Sequence, residues 1–462
     1  MFVFNELNPD ARVFKEAKTL VEYGYNVRVI GFQVEGTALY EGRDGFRIYR
    51  VALDPVNHKM LRLILLPDKL VGKLVAAQRE KSLSWHSSAV DGRTGSGESQ
   101  EPGPADVPAV TPLSRLYKFL YPLWSAYKFI YRVLVHLINL LPYVYLSYLD
   151  YYFRSFRLAR REQADVYTAH DLNTLPVAWM CSRLAKGKLV YDSHELWLDR
   201  PRVPPRSKLN RFLVKKIESF LIRRTDANII AGDFRARELV KRYHIIEPTV
   251  ILNLPPYHPV ESSRLLHDAL GIPTDEMIII YIGIVNLGRG LEEAVQSLKY
   301  LNRCHLVLMG FAYDDYISSL EAFIASEGLT GRVHFFGPVP FEEVTRYAAS
   351  AGVGLVLYRN ICLNWYYSSP NKLFECMAAG LPVVGSNFPD LKMYIEGYDI
   401  GVTCDPDNPR DIADGINRII SDEARYDSMR KNALEAAKTF NWGNESRKLI
   451  ALYEGLIGSK NV

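Results

Sequence analysis

The chain has 462 residues, enough for two or three domains, and 48% of them are apolar, enough for a substantial core in each. A net charge of +4 is too small at this length to mark a nucleic-acid binder. The five cysteines, Cys181, Cys304, Cys362, Cys376 and Cys404, are odd in number and form no CxxC pair, so they read as reduced, mostly buried thiols of a cytoplasmic protein.

The amino end has no basic-then-apolar signal pattern. Phe2 to Phe4 already reads as a strand with almost no lead-in, so this strand is short or the chain begins further upstream. Ala11 to Tyr23 reads as a helix stopped by Gly24, Asn26 to Gly31 as a strand, and a strand pair follows around Phe46 to Val51. Helices alternating with apolar strands imply parallel sheets covered on both faces. The loop after the first strand carries Asn8, Pro9 and Asp10 rather than GxGxxG, which disfavours a dinucleotide fold.

Residues 82–112 break the pattern. They are rich in glycine, serine and proline and read as a disordered loop inserted in the first domain. Residues 113–161 crowd aromatics (Tyr117, Phe119, Tyr121, Trp124, Tyr127, Phe129, Tyr131) among Arg115, Lys118, Lys128 and Arg132. The uncharged run Val133 to Leu149 sits at the short limit of about 17–25 residues for a bilayer span. An element lying in the membrane interface, a buried helix pair and a true span all accommodate it; aromatics mixed with basic residues are the pattern of the first.

The alternation resumes at Asp165 to Tyr167, with strands at Lys188 to Tyr191 and Ala227 to Ala231 and helices at Lys208 to Arg224 and Phe234 to Tyr243. The helix from Lys208 is strongly basic, a feature of either a solvated face or one drawn to anionic headgroups. Consecutive prolines in Asn253-Leu254-Pro255-Pro256 read as an interdomain linker. Strands Met277 to Ile282, His305 to Met309, Val333 to Phe336, Val353 to Leu357, Pro382 to Val384 and Gly401 to Thr403 then alternate with helices in a second doubly wound unit. The expected organisation is a domain over 1–254, a second over 255–440, and a final helix within 441–462 that crosses back to the first.

The stretch from Ser369 to Ser386 is the most informative. Pro370 suits a helix start, where unpartnered N–H groups and the helix dipole make a seat for phosphate. Asn371 and Lys372 open that helix, Glu375 lies about one turn inside where a ribose fits, Gly380 ends it, and Leu381 to Val384 reads as a buried strand. Arg289, set among Gly283, Gly288 and Gly290 before a helix beginning Leu291-Glu292-Glu293, offers a guanidinium fork to phosphate.

These segments, with Asn8 to Ala17 and Ala169 to Pro176, resemble in their order the retaining glycosyltransferases of family 4. The resemblance implies an α/β GT-B fold of two Rossmann-like, doubly wound domains facing a cleft. It implies retaining transfer of a hexose from a nucleoside diphosphate sugar to a lipid-linked or polysaccharide acceptor in cell-envelope glycan synthesis, at the inner face of the cytoplasmic membrane. No nucleic acid, metal or cofactor beyond the nucleotide sugar is implied. On this reading Arg289 and Lys372 steady the departing diphosphate, where one good donor is worth roughly 3–4 kcal/mol. Gly283, Gly290 and Asn371 shape the phosphate seat, Glu375 holds the ribose, and His170 faces the reacting sugar. Asp10, Arg12 and Asp171 line the amino-terminal side, with His194 and Glu195 bordering the acceptor. Residue types alone leave other roles open: Asp10 is also a helix cap and His170 also a core histidine. Two departures stand out. The family's arginine after the first glycine is Ile284 here, and the first of its paired glutamates falls at Tyr367. They keep open a non-catalytic membrane-associated scaffold and a sugar-nucleotide epimerase on the same fold. Asp405-Pro406-Asp407 resembles the metal-holding DxD of other glycosyltransferases but reads as a turn. No Gly-x-Ser-x-Gly or Walker loop supports a hydrolase or NTPase.

Overall fold

The computed structural model describes residues 1–5, 7, 10–53, 143–202, 205–258, 260 and 262–458. The glycine- and proline-rich loop 82–112, the aromatic stretch up to residue 142, and Asn8 and Pro9 lie outside these. The chain divides into two compact units, Met1–Val51 with Ser155–Val462, and Ala52–Arg154. Of the second, the described part is chiefly the first turns of the helix Tyr143–Arg161, where Asp150 pairs with Arg154 at 2.8 Å.

The first unit carries two sheets, parallel throughout except for β2. In the amino-terminal one, β1 (Arg28–Phe32) pairs with β3 (Phe46–Val51), which pairs antiparallel with β2 (Tyr40–Arg43). On the other side β4 (Val166–His170), β5 (Lys188–Ser193), β6 (Ala227–Ile230) and β7 (Thr249–Val250) follow in order, all parallel. The expected strand Phe2 to Phe4 is reduced to a bridge. Phe2 pairs parallel to Ile30 and to Ala169, and so joins the two halves of the sheet. The helix Ala11–Glu22 follows, capped by Asp10, whose side chain accepts from the Val13 N–H at 3.2 Å.

The carboxyl-terminal sheet has six parallel strands in the order β10-β9-β8-β11-β12-β13: β8 (Met277–Ile282), β9 (Cys304–Met309), β10 (Val333–Phe336), β11 (Val353–Val356), β12 (Val383–Ser386) and β13 (Gly401–Cys404). These strands are nearly continuous apolar runs because helices cover both faces. The chain winds outward from β8, then returns to lay β11 beside it. The gap between the carboxyl ends of β8 and β11 is therefore the switch point where α/β sheets bind ligands.

The last helix, Trp442–Ile457, packs on the amino-terminal sheet. Leu449, Ile450 and Tyr453 join Val29, Ile48 and Val190 in one core. Each such aliphatic burial contributes roughly 1.5–3 kcal/mol before entropy is counted. Trp442 Nε1 donates to Thr19 Oγ1 at 3.0 Å, and Tyr453 and Thr168 share a hydroxyl hydrogen bond of 2.6 Å. All five cysteines are unpaired, four of them buried.

Candidate active site

A cleft of about 1190 Å³ opens at the carboxyl ends of both sheets. Its floor on the carboxyl-terminal side is built from Gly283, just beyond β8, and Tyr358, just beyond β11. Gly283 has φ +122°, and the neighbouring Gly310 has φ +147°. A Cβ on Gly310 would lie 2.2 Å from the Gly283 carbonyl oxygen, so only glycine lets the two loops touch.

The helix Asn371–Ala378 points its amino end at this floor. Pro370 precedes it in extended geometry with no side-chain cap, which leaves the first N–H groups open to a ligand. At the other end Gly380 has φ +66° and the Leu381 N–H bonds to the Cys376 carbonyl, the expected stop. Lys372 is only 6% exposed, and its Nζ has no hydrogen-bond partner. It lies 3.5 Å from the centre of the Tyr281 ring and 5.2 Å from that of Tyr358. Burial, and then the nearby Arg289, hold its pKa well below the usual lysine value. Arg289 Cζ stacks 4.7 Å over Tyr358 and 4.6 Å over Trp365, with Nε unpartnered. Glu375 is 7% exposed; burial raises its carboxyl to about 7 despite Lys372 and Lys15. Gly283, Arg289, Asn371, Lys372 and Glu375 are thus brought together on one wall; Gly290 lies beneath it, buried against Leu357.

The opposite wall differs from expectation at two residues, His170 and Asp171. His170 is 1% exposed and does not line the cleft; His194 does. Asp192 organises both. Its carboxylate accepts two hydrogen bonds from Arg12, each 2.9 Å, and its Oδ2 lies 3.2 Å from His170 Nδ1 and 3.4 Å from His194 Nε2. Burial favours neutral His170, lowering its pKa. Burial acts on His194 in the same sense, but Asp192 and Asp171 outweigh it and raise the imidazole to about 9. His194 is therefore the charged histidine facing the cleft. Arg12 lines the cleft but spends its fork on Asp192 and its remaining nitrogen on the Ile251 carbonyl at 3.0 Å. Asp10 lines the cleft while capping its helix and accepting from Asn5 Nδ2 at 2.7 Å. Asp171 does not line it; its Oδ2 accepts from Arg200 at 2.9 Å. Glu195 does line it, paired with Arg200 and with the Asn364 amide.

His170, Asp192 and His194 are also the one group among the described residues that brings three metal-ligand atoms together. Arg12 already supplies that carboxylate with its positive charge. In Asp405-Pro406-Asp407, Asp405 Oδ1 accepts from the Asp407 N–H at 3.0 Å and Asp407 pairs with Arg359 at 2.5 Å, which is turn chemistry. Sequence reasoning missed Lys15, Arg235, Tyr358 and Trp365. Lys15 Nζ donates to the Leu254 carbonyl at 2.6 Å, and burial, then Arg12, lower it to about 7.

Residues 262–436 match the family model of glycosyl transferases group 1. Arg289, Lys372 and Glu375 all fall inside that span. A curated relative, the D-inositol 3-phosphate glycosyltransferase of Nocardioides sp., is 24% identical over 261 residues, 51% of this chain and 55% of that protein. The chain thus spans about half the length of the first curated relatives it matches. Among solved structures, sucrose-phosphate synthase from Thermosynechococcus elongatus superposes with a TM-score of 0.65 at 16% identity, covering 97% of this chain and 93% of that one. Anabaena Alr3699/HepE, solved with UDP-glucose, gives 0.57 at 17% identity over 71% and 89%. At these identities the likeness establishes the fold, the α/β GT-B architecture.

Proposed function

We propose that this chain is a glycosyltransferase that moves a hexose, with retention, from a nucleoside diphosphate sugar to a lipid-linked or polysaccharide acceptor. The observation that carries the reading is the pair of cations, Arg289 and Lys372, left without a protein partner at the open end of the helix Asn371–Ala378. A diphosphate satisfies both, and Glu375 lies one turn further where ribose hydroxyls are in reach. As the bond from the sugar's anomeric carbon to the diphosphate oxygen breaks, charge collects on that oxygen, next to the guanidinium and ammonium. The acceptor hydroxyl oxygen forms the new bond on the same face, and its proton passes to the departing diphosphate. His194, charged at neutral pH and backed by Asp192, orients the sugar or the acceptor. His170, expected at the reacting face, lies buried beside it, with Nδ1 3.2 Å from Asp192 Oδ2.

The acceptor side supports work at a membrane surface. No helix among the described residues is long and apolar enough to cross a membrane. The helix Lys208–Ile222, however, exposes Leu209, Phe212, Leu213, Ile217 and Phe220, each between 46% and 68% exposed, at helical spacing. Lys208, Lys215, Lys216 and Arg224 are exposed around them. Phe220 meets Trp179 edge-on at 5.7 Å, which extends the patch to exposed Met180 and Leu184. Apolar side chains ringed by cations suit an anionic bilayer, where each basic residue contributes about 1 kcal/mol.

The test is incubation of the purified chain with radiolabelled sugar nucleotides and membrane lipid extract. Label in lipid or polysaccharide is the expected result. Nucleotide binding with neither transfer nor hydrolysis would establish the scaffold reading that Tyr367 and Ile284 keep open. Free sugar formed without acceptor and inverted at a ring carbon would support the epimerase, whereas free sugar of unchanged configuration is donor hydrolysis.

A further inference from the structure

Three cations line the cleft with no carboxylate partner among the described residues: Arg289, Lys372 and Arg235. A sugar nucleotide carries one negative charge on each of its two phosphates, and Arg289 with Lys372 matches them. Arg235 is in excess.

It stands on the helix Asp233–Tyr243 of the amino-terminal sheet and is 7% exposed. Nη1 donates to the Ala231 carbonyl at 3.1 Å and Nη2 to the Asn364 carbonyl at 2.8 Å, while Nε has no acceptor. Glu195 and Asp390 are the acids that act on it from nearby, but neither forms an ion pair with it, and Asp390 Oδ2 is itself without a hydrogen-bond partner. Glu195 is held by Arg200 and Asn364, and Asp390 Oδ1 accepts from Ser369 Oγ at 3.0 Å. A guanidinium held this way, dehydrated, without a direct ion pair and with Nε unsatisfied, is a costly arrangement that an incoming anion relieves.

Its place in the cleft is fixed by its neighbours. Asn364, which it holds, precedes Trp365, the ring beneath Arg289. A Cβ built on Gly232 would lie 3.8 Å from Arg235 Cδ and 3.4 Å from Ser369 Oγ, so the arginine abuts the segment leading into the helix at Asn371. Nearby Tyr367, where the resembling family carries an acid, instead stacks on Phe234 with ring centres 5.8 Å apart.

We propose that Arg235 forms a second anion subsite beside the diphosphate seat, for a substrate bearing an additional negative group: a carboxylate on the transferred sugar or a phosphate on the acceptor. The proposal rests on the donor reading above. Calorimetric titration of the full chain with UDP-glucose against UDP-glucuronate, and GDP-mannose against GDP-mannuronate, probes the first source. Inorganic phosphate titrated into protein saturated with the neutral donor probes the second. One arm is expected to show a gain: the anionic donor binding roughly ten- to a hundredfold tighter, or phosphate binding beside the donor. That gain disappears in Arg235→Gln and is partly kept in Arg235→Lys, which also serves if the glutamine variant does not fold. The readout is the ratio of anionic to neutral donor affinity within each protein, so a loss common to both donors leaves it readable. Equal binding of both donors with no phosphate site overturns the proposal, as does a gain that survives in both variants. Failure of every nucleotide to bind removes the donor reading, and this proposal with it.

Discussion

Replacing Lys372 by methionine separates what its ammonium does in the empty cleft from what it does with donor bound. In the empty protein it is buried and has only the rings of Tyr281 and Tyr358 for company. An unpartnered buried polar group costs about 1–3 kcal/mol. The ring contacts return about 0.5–2 kcal/mol. Methionine of similar length is therefore expected to leave stability unchanged or to raise it by up to about 2 kcal/mol in urea unfolding, a sign opposite to most core substitutions. The wild-type amine has a pKa below its unfolded value, so between the two the unfolded state binds the extra proton and stability rises with pH. The methionine variant loses that slope. With nucleoside diphosphate the order reverses: loss of a charge-assisted contact weakens binding roughly ten- to a hundredfold. Because the amine must gain its proton as the diphosphate arrives, wild-type binding takes up protons from solution above the depressed pKa. Calorimetry in two buffers of different ionisation enthalpy reads that uptake directly. A Lys372→Met protein that binds diphosphate as tightly as wild type, or wild-type heats that do not depend on buffer, would refute the reasoning.

Glu375, raised to about 7, becomes a better acceptor for ribose hydroxyls as it ionises, so nucleoside affinity is expected to climb between pH 6 and 8 and to stay flat in Glu375→Gln. Titrating UDP-glucose and GDP-mannose, whose phosphates do not ionise further in that range, checks it as the difference between wild type and Glu375→Gln, which both keep Lys372. His194→Gln is expected to cut transfer roughly ten- to a hundredfold, the range of a lost charge-assisted contact, and wild-type activity should decline above pH 9 as the imidazolium is lost. An unchanged rate or an alkaline limb in the variant would count against it. On the exposed face, Phe212→Glu with Leu213→Glu should abolish sedimentation with anionic vesicles. Because both side chains are already solvated, unfolding should shift by no more than about 0.5 kcal/mol. Retained vesicle binding would rule this helix out as the docking element.

The carboxyl-terminal sheet was legible because its strands are uninterrupted apolar runs between glycine turns. Met277–Ile282 and Val333–Phe336 fall at the expected residues. The amino-terminal edge was less so. Phe2 is held from both sides by Ile30 and Ala169, yet its neighbours do not extend the ladder, and no local pattern reveals how long a strand its partners will accept. The phosphate seat was readable because proline, lysine, glutamate and glycine each serve a position along one helix. Which histidine faces the cleft was not: His170 ends β4 and His194 follows β5, so both meet the same topological criterion. The choice is made by Asp192, whose carboxylate holds one ring beneath the other, and Asp192 is itself set by Arg12, 180 residues away.

Arg235 illustrates a different blindness. Among Arg237, Lys241 and Arg242 it reads as one more charge on a solvated helix. A signal was nonetheless present: Arg235 is spaced by four from Leu239 and by another four from Tyr243, and all three are buried. A cation in register with the apolar stripe either wastes its solvation energy or faces a partner that repays it. Here the helix contributes the register and the second sheet's Asn364 contributes the carbonyl, but neither contributes a counter-charge. Lys372 shows the same imbalance from the opposite wall. Lys372 on the helix Asn371–Ala378 and Arg235 on the helix Asp233–Tyr243 are thus each dehydrated, and each keeps a nitrogen without a hydrogen-bond partner on the cleft.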